Sequence, residues 1–77
     1  MTITDTYLTV IGERIRTALA WKNMTQTELI KRSGITNGTL WHVMTNKYRD
    51  PRLYTLTSIA DVLEVSLDWL VGRSDRP

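Results

Sequence analysis

The sequence has no cysteine, a single histidine and no long uninterrupted run of apolar residues. Without cysteine the chain forms neither a disulfide framework nor a thiolate metal site, so an aliphatic core must stabilise its 77 residues. The apolar runs are too short to cross a membrane, and the first residues lack the basic region and apolar stretch of a secretory signal. These absences predict a cytoplasmic protein that does not enter a membrane.

Catalytic groups are equally scarce. The sequence contains no glycine-rich phosphate loop, no pair of carboxylates flanking a plausible cleft and no nucleophile matched to its one histidine. We therefore expect no enzyme activity, no metal, no cofactor and no small-molecule substrate.

Charge is unevenly distributed along the chain. The formal net charge of +2 is only a weak indication of a polyanionic partner. The distribution says more, because Lys47, Arg49 and Arg52 lie within six residues, and three acidic residues at 61, 64 and 68 follow with few bases between them. Such a basic cluster has two interpretations, a solvated surface or a nucleic-acid contact, and only the fold around it can decide between them.

Apolar residues at spacings of three and four predict a first helix from about Thr6 to Trp21. Its inward stripe is expected to be Leu8, Ile11, Ile15, Ala18 and Leu19. Its outward face is expected to carry Glu13, Arg14, Arg16 and Lys22.

A second helix, residues 26–33, has clear signals at both ends. Thr25 is placed to cap it, Glu28 is placed three residues on to complete a capping box, and Gly34 is placed to end it.

The next segment admits two structures. Thr36 can cap a third helix that begins at Asn37, with Ile35 and Leu40 as the hydrophobic pair across the cap. Asn37-Gly38 is also a common sequence of two-residue hairpin turns, although the surrounding apolar residues do not alternate as in strands. The cap and the apolar pair favour the helix.

Two further helices complete an all-α domain of five helices over residues 1–77. The fourth has the stripe Leu53, Leu56, Ile59, Ala60 and Leu63. Ser66 is placed to cap the fifth, "SLDWLVG", with Val65 and Leu70 as its apolar pair. We expect a core spanning residues 8–72 and a polar tail over residues 73–77.

The connection between the second and third helices is only a few residues long and contains Gly34. A glycine that can adopt a positive φ in so short a connection makes the two axes cross steeply, as in a helix-turn-helix. The third helix then projects outward with Asn37, Thr39, Trp41 and His42, and such a helix fits the major groove of DNA.

From residue 11 to residue 72 the chain resembles the Cro and C1 type of helix-turn-helix protein, the XRE family of lambdoid phage repressors and their bacterial relatives. The matching features are Thr25-Gln26, Glu28-Leu29, Gly34-Ile35-Thr36, Thr39-Leu40, Pro51, the stripe Leu56, Ile59, Ala60 and Leu63, and "VSLDWL". The resemblance implies a lambda-repressor-like domain that regulates transcription, most simply a phage or prophage repressor or Cro-like protein that binds a double-stranded DNA operator as a homodimer.

The resemblance also implies residue roles. The base-reading positions are Asn37, Gly38, Trp41 and His42. The positions that contact the DNA backbone are Gln26, Thr36, Thr39, Lys47, Tyr48 and Arg49. Asparagine suits adenine through a bidentate contact, whereas a glycine either allows closer approach of the helix or leaves one base pair unread.

Several alternatives stay open. Gln26 can simply satisfy a free amide at the start of the second helix, and Trp41 can be an edge residue of the core. The apolar residues Leu67, Trp69, Leu70 and Val71 can form a dimer interface, or the middle two can close the core of one subunit. A protein-binding module or antitoxin built on the same fold is the alternative function.

Three positions depart from the family pattern. Ile30 stands where a small residue is usual, which is expected to widen the crossing of the second and third helices. Met44 stands where glutamate is frequent, and Asn46 where glycine is usual.

Overall fold

The computed structural model describes residues 3–45 and 51–77, with the backbone alone for residues 3–9. These residues form five helices and no strand: α1 (Ile3–Lys22), α2 (Gln26–Ser33), α3 (Asn37–Met44), α4 (Leu53–Leu63) and α5 (Leu67–Leu70). The prediction of an all-α fold with five helices is confirmed, and the hairpin alternative for residues 37–38 is wrong. The first helix begins three residues earlier than predicted.

Side-chain caps define where three of the helices begin. The hydroxyls of Thr25, Thr36 and Ser66 accept hydrogen bonds from the N–H groups three residues on, at 3.1, 3.1 and 3.0 Å. Each such cap contributes about 1 kcal/mol by satisfying an N–H that has no partner within the helix. The predicted capping box of α2 is only half formed, because the Glu28 carboxylate lies 3.8 Å from the Arg32 guanidinium one turn later.

The core lies where α1, α4 and α5 meet and where α2 and α3 pack against them. Its buried apolar residues in the described part of the chain are Ile11, Ile15, Ala18, Leu19, Leu29, Ile35, Leu40, Val43, Met44, Leu56, Ile59, Ala60, Leu63, Trp69 and Leu70. The predicted inward stripes of α1 and α4 are therefore largely confirmed; the side chain of Leu8 lies outside the described residues.

Leu53 is the exception, and its assignment to the core is wrong. It is 67 % exposed. Leu53 is the first residue of α4, and helical side chains lean toward the N-terminus, so this side chain extends past the end of the core that the rest of α4 covers.

Arg14 was expected on the outward face of α1 but is partly buried against α5. Its guanidinium donates to the carbonyl oxygens of Trp69 and Ser74, both at 3.2 Å, and lies 4.7 Å from the centre of the Trp69 ring. The prediction failed because helical spacing places Arg14 at the boundary of the exposed face but does not show that carbonyl groups of a distant segment lie within its reach.

The polar segment 73–77 lies against the start of α5. The Ser66 N–H donates to the Pro77 carbonyl at 2.7 Å, and the Arg73 N–H donates to the Asp68 carbonyl at 2.8 Å. The Arg14 contact with Ser74 ties the same segment to α1.

The apolar residues of α5 serve mainly the core of the chain itself. Trp69 is 4 % exposed and Leu70 is fully buried, while Leu67 and Val71 are half-buried. Trp69 and Leu70 therefore close the core of the chain itself, which confirms that interpretation of these two residues. No described helix is both long and apolar enough to span a lipid bilayer.

Candidate nucleic-acid interface

A three-residue turn joins α2 to α3. Gly34 adopts a left-handed conformation with φ of 77° and donates its N–H to the Ile30 carbonyl at 3.0 Å, which ends α2. Ile35 is buried and Thr36 caps the next helix. The glycine, the buried isoleucine and the capping threonine together form the turn between the two helices at the position that the sequence predicted.

The position of α3 is set mainly by α1. Helices α1 and α3 pack against each other, while α2 packs against α4. A Cβ atom at Gly12 of α1 would lie only 2.5 Å from the carbonyl oxygen of Met44, the last residue of α3. Gly12 therefore allows direct backbone contact between the two helices.

Gly12 was not identified from the sequence, although one signal was present. Glycine inside a helix costs about 1 kcal/mol relative to alanine, so a mid-helix glycine without a capping role indicates a packing requirement. Its partner on α3 has no such local signal, because the contact atom is a backbone carbonyl that every residue possesses.

The outward face of α3 follows from the residues that it buries. Leu40, Val43 and Met44 face the core. Successive residues rotate by about 100°, which places Gly38 nearly opposite the centre of that buried face. Asn37, Gly38 and Trp41 are exposed, and Trp41 is exposed over 53 % of its surface, which fits an edge residue of the core as well as a groove contact.

His42 is less open to solvent than predicted. The residue is half-buried and its Nδ1 atom is inaccessible to solvent. Its ring centre lies 5.1 Å from that of Trp41, with the rings inclined at 71° in an edge-to-face arrangement. A bound molecule therefore does not reach Nδ1 in this arrangement.

Two threonines form a small hydrogen-bonded unit at the start of α3. The Thr36 hydroxyl accepts from the Thr39 N–H at 3.1 Å and donates to the Thr39 hydroxyl oxygen at 2.9 Å. Thr36 is thus occupied by capping. Thr39 keeps its own hydroxyl proton, which it can donate to an anionic oxygen.

Gln26 is the first residue of α2 and is exposed. It lies beside first-turn N–H groups that have no partner within the helix, a position suited to an anion. Lys47, Tyr48 and Arg49, and Asn46 before them, lie outside the described residues. Arg52, just before α4, is exposed.

One ion pair contributes a clear electrostatic effect away from α3. The Lys22 ammonium lies 2.7 Å from the carboxylate of Glu64, the residue that ends α4. Hydrogen bonding and then charge attraction by Lys22 hold the pKa of the Glu64 carboxyl below its ordinary value. No group of acidic residues and histidine in the described part of the chain is arranged to hold a metal ion.

A helix-turn-helix family model matches residues 15–70, which include all of α2 to α5 and the C-terminal part of α1. The chain belongs to this helix-turn-helix family, of the Cro/C1 or XRE type. No curated protein and no solved structure gives a significant match.

Membership of this family defines the general activity. The chain is a DNA-binding transcription regulator of the XRE type, and its ligand is double-stranded DNA. The family consists of DNA-binding regulatory domains and is not typically enzymatic.

Proposed function

We propose that the chain is a sequence-specific repressor, of the phage or prophage type or Cro-like, that blocks transcription in the cytoplasm by occupying an operator. The observation that supports this best is the exposed outward face of α3, held by backbone contact between Gly12 and Met44. A helix fixed in this way can enter the major groove with its side chains already placed.

Three residues of the outward face of α3 are assigned distinct roles in DNA binding. Asn37 reads a base edge, most simply adenine through a bidentate contact, and His42 reads a second base through Nε2. Trp41, with half of its surface exposed, supplies apolar contact to the groove.

Other residues are proposed to contact the DNA backbone. Gln26 and the Thr39 hydroxyl donate to phosphate oxygens, and Thr36 acts indirectly by capping α3 and orienting Thr39. In the segment between α3 and α4, the basic residues Lys47 and Arg49 supply charge, with Tyr48 as a further donor.

Two copies are proposed to occupy one operator. A homodimer places its two α3 helices in successive major grooves, about 34 Å apart, on a pseudo-palindromic site. Since Trp69 and Leu70 belong to the core of each chain, an interface in the α5 region would use the half-buried Leu67 and Val71.

The experiment begins with selection of binding sequences from a pool of random duplexes. We expect a pseudo-palindromic consensus, two chains per duplex by analytical ultracentrifugation, and repression of a reporter whose promoter contains the consensus. A duplex with one half-site should bind one chain with much lower affinity.

Two results would contradict the proposal. A selected pool without any consensus would exclude sequence-specific binding. Tight binding to a partner protein, with no salt-dependent binding to any duplex, would favour the antitoxin or protein-binding function instead.

A further inference from the structure

Gly38 lies on the most outward part of α3 and has no side chain. A Cβ atom built at this position meets only the Thr36 hydroxyl oxygen, at 4.0 Å, so the fold itself does not require glycine here. Glycine is also unfavourable within a helix. The space above Gly38 is therefore open, and neither the core nor the backbone conformation accounts for it.

Two aromatic residues lie one turn beyond this space. Trp41 and His42 follow Gly38 by three and four residues, which places them on either side of it one turn along the helix. Helical side chains lean toward the N-terminus, so both residues lie near the turn that contains Gly38, and neither ring comes within 4 Å of a Cβ built there. Their ring centres are 5.1 Å apart, and Trp41 is 53 % exposed. We call the space beside Gly38, Trp41 and His42 the α3 notch.

We propose that the α3 notch receives the C5-methyl group of a pyrimidine in the major groove of the bound DNA. This inference rests on the proposed binding of DNA through the outward face of α3. The C5-methyl group is the apolar group exposed on base edges in the major groove. The notch suits it, because its floor has no side chain and the exposed Trp41 ring, in contact with His42, lies one turn further along the helix.

The expected contribution is modest and measurable. Burial of one methyl-sized group is worth about 0.8 kcal/mol, or about fourfold in affinity. Thymine carries the methyl group naturally and 5-methylcytosine carries the same group by modification, so both bases share the proposed chemistry.

The test replaces single thymines by uracil in a duplex chosen by selection, which removes only the methyl group. The wild-type chain should lose about fourfold in affinity at one thymine per half-site. If the base facing the notch is cytosine, uracil has no effect, and replacing that cytosine by 5-methylcytosine should instead increase affinity by a similar factor.

The matched variant is Gly38→Ala, which places a methyl group of the protein in the notch. This variant should bind the thymine duplex more weakly and should show no uracil penalty at that position. Its thermal midpoint should not fall, because the added Cβ has no close neighbour. Thr17→Ala, a neutral change at an exposed position of α1, should retain the wild-type uracil penalty.

Two outcomes would overturn the inference while leaving the proposed function intact. One is sequence-specific binding that no methyl addition or removal affects. The other is an equal uracil penalty in wild type and Gly38→Ala. Failure of the proposed function is distinguishable, because the selection would then yield no consensus duplex.

Discussion

The contact between α1 and α3 predicts the effect of Gly12→Ala. The new Cβ would lie 2.5 Å from the Met44 carbonyl oxygen, about 0.9 Å short of the 3.4 Å at which ordinary van der Waals contact begins. The neighbouring atom belongs to the backbone, so a side-chain rotation cannot relieve the overlap. The C-terminal end of α3 must therefore move away from α1.

Two opposing terms determine the stability of this variant. Alanine gains about 1 kcal/mol over glycine in a helix interior, whereas overpacking of this kind costs about 1 to 3 kcal/mol. We expect a net destabilisation of up to about 2 kcal/mol. Displacement of α3 should also weaken operator binding at least about tenfold, equivalent to about 1.4 kcal/mol, because the base contacts depend on its placement.

The assay combines guanidinium unfolding, followed by tryptophan fluorescence, with operator binding by gel shift. Gly38→Ala is the matched control for stability: its Cβ is unobstructed, so this variant should be at least as stable as wild type. Thr17→Ala on the same helix is the control for DNA binding. A Gly12→Ala chain that is about 1 kcal/mol more stable than wild type and binds the operator normally would refute the reasoning.

Three further changes have defined outcomes. Thr36→Ala should lower the free energy of unfolding in urea by about 1 kcal/mol, because it removes the α3 cap and the hydrogen bond to Thr39. Thr36→Ser should restore both contacts. Unchanged stability in the alanine variant would contradict this role. Because Lys22 lowers the Glu64 pKa, this pair stabilises the fold above about pH 4, and its contribution is lost as the pH falls through the lowered pKa. The unfolding free energies of wild type and Glu64→Gln should therefore differ slightly at pH 7 and approach each other on acidification. A difference that grows in acid would be inconsistent with the ion pair. Arg49→Ala should weaken binding to all duplexes alike and reduce the salt slope by about one, whereas a loss confined to the operator would show that Arg49 contacts bases.

Local signals in the sequence predicted much of this fold. The caps at Thr25, Thr36 and Ser66 and the turn at Gly34 depend on a few neighbouring residues, so they are visible without tertiary information. The inward stripes of α1 and α4 follow from helical periodicity in the same way.

The features that were missed or wrongly placed depend on contacts between distant parts of the chain. Arg14 faces α5 because two backbone carbonyls and the Trp69 ring lie within its reach, and these are 55 or more residues away in sequence. Gly12 was missed because its contact is with a backbone carbonyl of α3. Leu53 keeps the correct spacing but lies at the end of its helix, where the core no longer covers it.

The candidate site was likewise predicted only in part from the sequence. The third helix and its exposed residues Asn37, Gly38 and Trp41 were predicted from spacing and capping. The partial burial of His42 and its edge-to-face contact with Trp41 were not, because spacing places a side chain on a face without giving its rotamer.

The central proposal is that the outward face of α3 reads DNA sequence. It is tested most directly by measuring the affinity of wild type and Asn37→Ala for two duplexes, the selected operator and a scrambled sequence, at the same salt concentration. Asn37→Ala should lose about 1 to 3 kcal/mol on the operator and almost nothing on the scrambled duplex, while Thr17→Ala should bind both as wild type does. Equal losses on the two duplexes would contradict base recognition by this face.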